Sequence, residues 1–111
     1  MREITRLFKA LSDPNRLRIL KMLEVKPLCV CEITETLQLA TSTVSKHLSI
    51  LRDAGFIIDE KDGKWVNYTL YIKDRPGTLY PILSEWLQND DKVIGDLNRI
   101  KTIDRINICG N

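Results

Sequence analysis

Apolar residues recur along the first half of the chain with the roughly 3.6-residue period of helices that lie against a core. Ile4, Leu7, Phe8 and Leu11 fall at i, i+3, i+4 and i+7, which predicts an amphipathic helix over residues 2–11. Ser12-Asp13-Pro14 ends it and starts a second helix. Asp13 is a natural N-cap, and Pro14 suits the first helical position, where the missing N–H costs nothing. Leu17, Leu20 and Leu23 carry this helix to about Glu24, and Lys26-Pro27 breaks it. A short third helix fits Val30 to Leu37, with Ile33 and Leu37 facing inward. The turn Gln38-Leu39-Ala40 leads to a fourth helix from about Ser42 to Ala54, capped by Thr41 or Ser42 and closed by Gly55. Val44, Leu48 and Leu51 form its buried stripe; Ser42, Lys46 and Ser49 lie opposite, flanked by Thr43 and Ser45.

The period then changes from helical to alternating. Residues 56–60 and 65–71 read as two strands, with Val66, Tyr68 and Leu70 on one face of the second. Lys61-Asp62-Gly63-Lys64 joins them, and Asp-Gly is a strong hairpin signal. After Asp74-Arg75-Pro76-Gly77 a last helix is expected over about 78–101, followed by a tail, 102–111. The order α-α-α-α-β-β-α is that of a winged helix-turn-helix, mainly α with a β-hairpin wing. Leu79, Leu83, Trp86 and Leu87 on the last helix, with Ile4, Leu7, Phe8 and Leu11 on the first, give more apolar surface than one small core needs. The expectation is a dimer built from those two helices; a larger core within one chain is the alternative.

Length limits the architecture to one domain over residues 1–111. The chain is 43% hydrophobic and 29% charged, as ordinary globular proteins are, and no apolar run reaches the roughly 18–20 residues of a membrane span. A cytoplasmic protein with no membrane partner is expected, since the N-terminus has no signal-peptide core. The net charge of +2 says little by itself. Its distribution says more: Arg2, Arg6, Lys9, Arg16, Arg18, Lys21 and Lys26 outnumber Glu3, Asp13 and Glu24 in the first quarter.

A helix that reads DNA needs a buried stripe to anchor it and short polar or basic side chains on its outer first turns. Residues 41–47 meet both needs. Ser42, Thr43, Ser45 and Lys46 are the candidate base and phosphate contacts, and His47 is either a phosphate contact or an interhelical hydrogen bond. Lys61 and Lys64 on the wing are candidate phosphate or minor-groove contacts. A single small domain makes few phosphate contacts, so two copies are expected to read an inverted-repeat operator in double-stranded DNA. Its half-sites would lie about 34–36 Å apart.

Cys29 and Cys31 bracket the start of the third helix. Unpaired N–H groups there are expected to lower the thiol pKa and favour the thiolate, the form that binds soft ions. Ligation by both would distort the first helical turn and disturb the neighbouring reading helix. Two buried small apolar residues are the plainer alternative.

Three segments then carry a family resemblance. Pro27-Leu28-Cys29-Val30-Cys31-Glu32-Ile33 is similar to the metal-binding box of the ArsR/SmtB family of winged-helix repressors. Asp13-Pro14-Asn15-Arg16-Leu17-Arg18-Ile19-Leu20 resembles the opening of that family's second helix. Thr41-Ser42-Thr43-Val44-Ser45-Lys46-His47-Leu48, continuing to Ile57, resembles its recognition helix and wing entry. The resemblance implies a homodimeric repressor, joined through its first and last helices, that leaves its operator when inducer binds. The doubled cysteine implies the arsenite-sensing type, with As(III) or Sb(III) as inducer and no organic cofactor. Zinc-sensing members place His and carboxylates on the last helix, whereas the only histidine here is His47. Arsenite sensors carry a third cysteine one helical turn after the second; this chain has Thr34 there, so either two thiolates act with a small thiol or hydroxide, or Cys109 in the tail completes the site as third ligand, a stray tail thiol being the plainer reading of Cys109.

Three other readings stay open. One is a thiol-redox or persulfide sensor of the same fold, in which a helix-start cysteine pairs with Cys109 on oxidation. A cadmium or lead sensor is another, since thiolates discriminate weakly among soft ions. A winged module that binds protein rather than DNA is the third. An enzyme is disfavoured: there is no paired general base near the cysteines, no Gly-rich cofactor loop, and C-x-C is not the C-x-x-C spacing of thiol reductases.

Overall fold

The computed structural model describes residues 1–109, the side chains of residues 107 and 109 excepted. Its elements are α1 (Arg2–Ala10), α2 (Pro14–Leu23), β1 (Leu28–Cys29), α3 (Val30–Leu37), α4 (Thr41–Asp53), β2 (Ile57–Asp62), β3 (Trp65–Leu70), α5 (Asp74–Leu87), α6 (Asp91–Ile100) and α7 (Arg105–Cys109). The expected helix-turn-helix and wing are present. Asp13 caps α2, its carboxylate accepting the N–H groups of Asn15 (2.8 Å) and Arg16 (3.2 Å). Gln38 closes α3 in the left-handed region at φ 57°, which turns the chain into α4. The core between them is apolar: Ile19, Leu20, Met22, Ile33, Val44, Leu48 and Leu51 are all fully buried.

Four expectations need correction. Ala40, not Thr41 or Ser42, is the N-cap of α4, and no side chain caps it. The first wing strand runs two residues further than expected, to Asp62, which pairs with Trp65, so the loop shrinks to Gly63-Lys64 with Gly63 at φ 62°. A short strand, β1, joins the sheet in the order β1-β3-β2, with Leu28 opposite Tyr68 and Cys29 opposite Asn67. A run of two residues has no period to detect, which is why the sequence conceals it.

The fourth correction is larger. The single last helix expected over 78–101 is two helices, and the tail forms a third, α7. α5 starts four residues early, since Pro76 is tolerated in a first turn. The chain then breaks after Leu87, and Asp90 restarts it by accepting the N–H groups of Lys92 (2.9 Å) and Val93 (3.1 Å). Asp104 accepts the N–H of Ile106 (3.0 Å) at the head of α7. Both caps are standard start signals, masked by the apolar residues around them.

Much of the surplus apolar surface is spent inside the chain. Leu7, Val93 and Ile100 are buried, and Leu11, Leu79, Leu83 and Leu87 are half-buried against their own protomer. Of the residues expected at a dimer interface, Ile4, Phe8 and Trp86 (74%) remain exposed. Two polar clusters dock the C-terminal helices. Arg18 makes a two-pronged bond to the buried carboxylate of Asp96 on α6, at 2.8 and 2.9 Å. Buried Lys21 donates to Ser84 Oγ (2.9 Å) and Glu24 (3.2 Å), and Tyr80 and Ser84 donate to the same carboxylate. Burial would raise the Glu24 pKa, but those hydrogen bonds more than offset it and leave the group below its ordinary value. Among the described residues no helix is long and apolar enough to cross a membrane.

Gly55, after α4, sits at φ +90°, and a Cβ there would meet Pro76 Cγ at 3.4 Å. The contact is tolerable, but the backbone is not: Gly55→Ala should cost about 1–2 kcal/mol, read as a lower urea midpoint with an unchanged slope.

Candidate nucleic-acid interface and thiol site

α4 projects its first two turns outward because Val44, Leu48 and Leu51 lock its other side into the core. Ser42, Thr43, Ser45 and Lys46 are all exposed. Because Ala40 offers no capping side chain, the first N–H groups of α4 are left for another acceptor such as a phosphate oxygen. Lys61 and Lys64 are exposed on the wing, and Lys64 Nζ sits 4.8 Å from the ring centre of Trp65.

His47 is half-buried and bonded between helices, its Nδ1 lying 3.1 Å from an Arg16 guanidinium nitrogen. The arginine can only donate, so Nδ1 accepts and the ring is neutral. In the sequence Arg16 stands out only as one of the basic residues of the first quarter. Its other nitrogens donate to the carbonyls of Ala10 (2.8 Å) and Lys9 (3.1 Å), so one side chain ties the end of α1 to α2 and to α4. Partial burial lowers the His47 pKa below 6.5; nearby Arg16 and Lys46 lower it further, and Asp13 opposes them. A depressed histidine pKa means that the unfolded chain binds the proton more readily. Stability should therefore fall as the pH drops from 6.5 through the folded pKa, and be fully present above 6.5. An NMR titration of the ring protons should give a midpoint below 6.5, and Arg16→Gln should raise it only in part, because burial is the larger cause.

The cysteines lie on the other flank of the helix-turn-helix. Cys29 is the N-cap of α3 and the last residue of β1. It forms a reciprocal cap with Glu32: the sulfur receives the Glu32 N–H, and the Glu32 carboxylate accepts the Cys29 N–H at 3.0 Å. Cys29 is a free thiol, 3% exposed. The expected drop in its pKa is not found. Burial pushes the thiol above its ordinary value; the Glu32 N–H pulls it down, the Glu32 carboxylate pushes it up again, and Arg105 opposes. At this helix start burial outweighs what the N-terminal N–H groups contribute. Cys31 is disulfide-bonded. The side chain of Cys109 lies outside the described residues. Among the described residues no three His, Cys, Asp or Glu side chains form a metal-binding group. Thr34, where a third cysteine was sought, donates its hydroxyl to Val30 O (2.7 Å).

Three more residues complete the site. Arg105 on α7 donates to Glu32 (3.0 Å) and to Asn67 Oδ1 on β3 (2.7 Å), and its guanidinium lies 4.8 Å from the Trp65 ring centre. Glu32, 3% exposed, is thus held by the backbone of one cysteine and by the C-terminal helix. A cleft of about 480 Å³ opens beside them, lined by Cys29, Cys31, Thr34, Thr41, Trp65 and Ile108 among others. It brings the thiol segment, the start of α4, the wing and α7 to one place.

Comparison with known proteins agrees with this architecture. Residues 13–59 match the model of the bacterial regulatory protein family described as arsR. The chain is 45% identical to the arsenical resistance operon repressor of Escherichia coli over 65 residues, 58% of this chain and 56% of that protein. It is 35% identical over 103 residues to the arsenic resistance transcriptional regulator ArsR1 of Pseudomonas putida, covering 89% of this chain and 73% of that one. Among solved structures, HlyU from Vibrio cholerae superimposes with a TM-score of 0.68 at 31% identity, over 78% of this chain and 94% of its own.

Proposed function

This chain belongs to the ArsR family of bacterial regulatory proteins, and on that premise we propose that it is a homodimeric repressor released from an inverted-repeat operator when As(III) or Sb(III) is taken up by Cys29 and Cys31. It is a DNA-binding transcriptional regulator and not an enzyme. The observation that carries the inducer site is the shared cleft: Cys29 and Cys31 line the same space as Thr41 at the start of α4 and Trp65 at the wing. Sulfur donors suit these soft ions, and Ile108 on the same wall supports Cys109 as the third donor. Relatives named for arsenic resistance support a metalloid as inducer, and relatives named for cadmium resistance match as well, so the titration below decides between the ions.

The chain's own residues then couple the two sites. To ligate, the Cys29 sulfur must give up the Glu32 N–H, which unfastens the first turn of α3. Glu32 also anchors Arg105, so the loosening reaches α7 and, through Asn67, the wing. Because α3 packs on α4, the exposed face of Ser42, Thr43, Ser45 and Lys46 shifts, with His47, Lys61 and Lys64 as flanking backbone contacts. Dimerisation is assigned to Ile4 and Phe8 of α1 and Trp86 of α5, the expected interface residues that stay exposed.

A second reading, oxidation rather than metalloid as the signal, is favoured by the disulfide at Cys31. One pair of experiments decides. Reduced protein is titrated with arsenite while near-ultraviolet sulfur-to-arsenic absorption and the anisotropy of a duplex selected in vitro are followed. Saturation near one arsenic per chain with loss of DNA binding supports the first reading. No band, together with DNA release by oxidant that Cys109→Ser abolishes, supports the second. DNA binding indifferent to salt would sink both, since phosphate contacts impose a steep salt slope.

A further inference from the structure

α1 carries two faces, and only one of them is apolar. At about 100° per residue, Arg2, Arg6 and Lys9 fall within one narrow sector, turned away from Ile4 and Phe8. All three are exposed, and among the described residues none forms an ion pair with an acidic side chain. They line a groove of about 870 Å³ whose other wall is α4, through Ile50 and Asp53, and whose floor includes Arg16. Ile50 and Asp53 stand on the same side of α4 as Lys46, so the groove runs on from the exposed DNA-reading turns. Four cations face one carboxylate.

We infer that this groove binds the phosphodiester backbone of duplex DNA flanking the segment read by α4, with Arg2, Arg6 and Lys9 as the contacts. The inference rests on the DNA-binding reading above and extends its footprint beyond the helix and wing. Charge complementarity and continuity with the reading face carry it. Nucleic acid is also the partner that satisfies several unpaired cations along a line, because consecutive phosphates present acceptors at regular intervals. Arg16 contributes charge rather than contact, since its guanidinium is already committed to Ala10, Lys9 and His47. Asp53 is the one repulsive group in the groove and limits its affinity.

The test uses a labelled mixed-sequence duplex, because phosphate contacts ignore sequence. The affinity of the full chain is measured by anisotropy across a salt series. Each lost contact should flatten the log–log salt slope by about 0.9, so Arg2→Gln/Arg6→Gln/Lys9→Gln should flatten it by up to about 2.7 per subunit. Lys26→Gln/Lys92→Gln/Lys101→Gln removes equal charge elsewhere and should leave the slope near that of wild type. Asp53→Asn should tighten binding several-fold at low salt. Equal slopes in the groove variant and wild type, or equal flattening by both triple variants, would overturn the groove alone. Failure of the wild type to bind any duplex would overturn the DNA-binding reading and the groove with it. All the positions changed lie on the surface or half-exposed, and unchanged thermal melting confirms the fold.

Discussion

Replacing Cys29 by serine should abolish stoichiometric arsenite uptake while leaving the protein folded and bound to its operator. The position is an N-cap, where serine is among the preferred residues, so the hydroxyl can receive the Glu32 N–H that the sulfur now receives. The reciprocal bond from the Cys29 N–H to the Glu32 carboxylate depends on the backbone and survives. What is lost is the soft donor: a hydroxyl binds thiophilic ions poorly. The variant should therefore be a repressor that no longer lets go. Its sulfur-to-arsenic band should vanish, and DNA anisotropy should stay high at arsenite levels that release wild type. Cys31→Ser should behave alike in reduced protein, and the residual band of Cys109→Ser reports the third donor. A full-strength band in Cys29→Ser would move the site elsewhere in the chain.

Glu32→Ala should be the most destabilising single change near the site, costing about 2–3 kcal/mol. Its side chain is 4% exposed and answers two donors, the Cys29 N–H and the Arg105 guanidinium. Truncation leaves both without that acceptor, one of them buried at a helix start. The cost stays below that of a wholly buried pair because Arg105 is 19% exposed and keeps Asn67 and Trp65. Urea unfolding gives the number directly. Glu32→Gln should lose less, since the amide oxygen still accepts. A loss within about 0.5 kcal/mol for Glu32→Ala, the range of ordinary surface changes, would show that Glu32 does not clamp α3, α7 and the wing together.

The hydrogen bonds that join the cysteine segment to the wing run through residues that no local pattern singles out. Glu32 reads in sequence as the N3 residue of a capping box, and that is correct as far as it goes. Its second partner, Arg105, is 73 residues away. The same holds for Arg16 with His47 and for Arg18 with Asp96, separated by 31 and 78 residues. Cys29 illustrates the converse. Its position at a helix start is readable from sequence and argues for a low pKa, but its burial is not readable, and burial decides the sign.

What the amino-acid order determined alone was whatever short-range physics specifies. The boundaries of α1, α2 and α3, the buried stripe of α4, the Asp-Gly hairpin and the place of the cysteines at the start of α3, one turn away from α4, all follow from caps, turns and periodicity within a few residues. The tertiary structure decided where apolar surface went, dividing it between the core (Leu7, Val93, Ile100) and the exposed Phe8 and Trp86. It also split the last helix at Asp90 and folded α7 back onto α3. The reason is physical: an apolar side chain carries the same transfer free energy toward any apolar surface, and a buried charge accepts any suitably placed partner. Only the packed chain chooses among them.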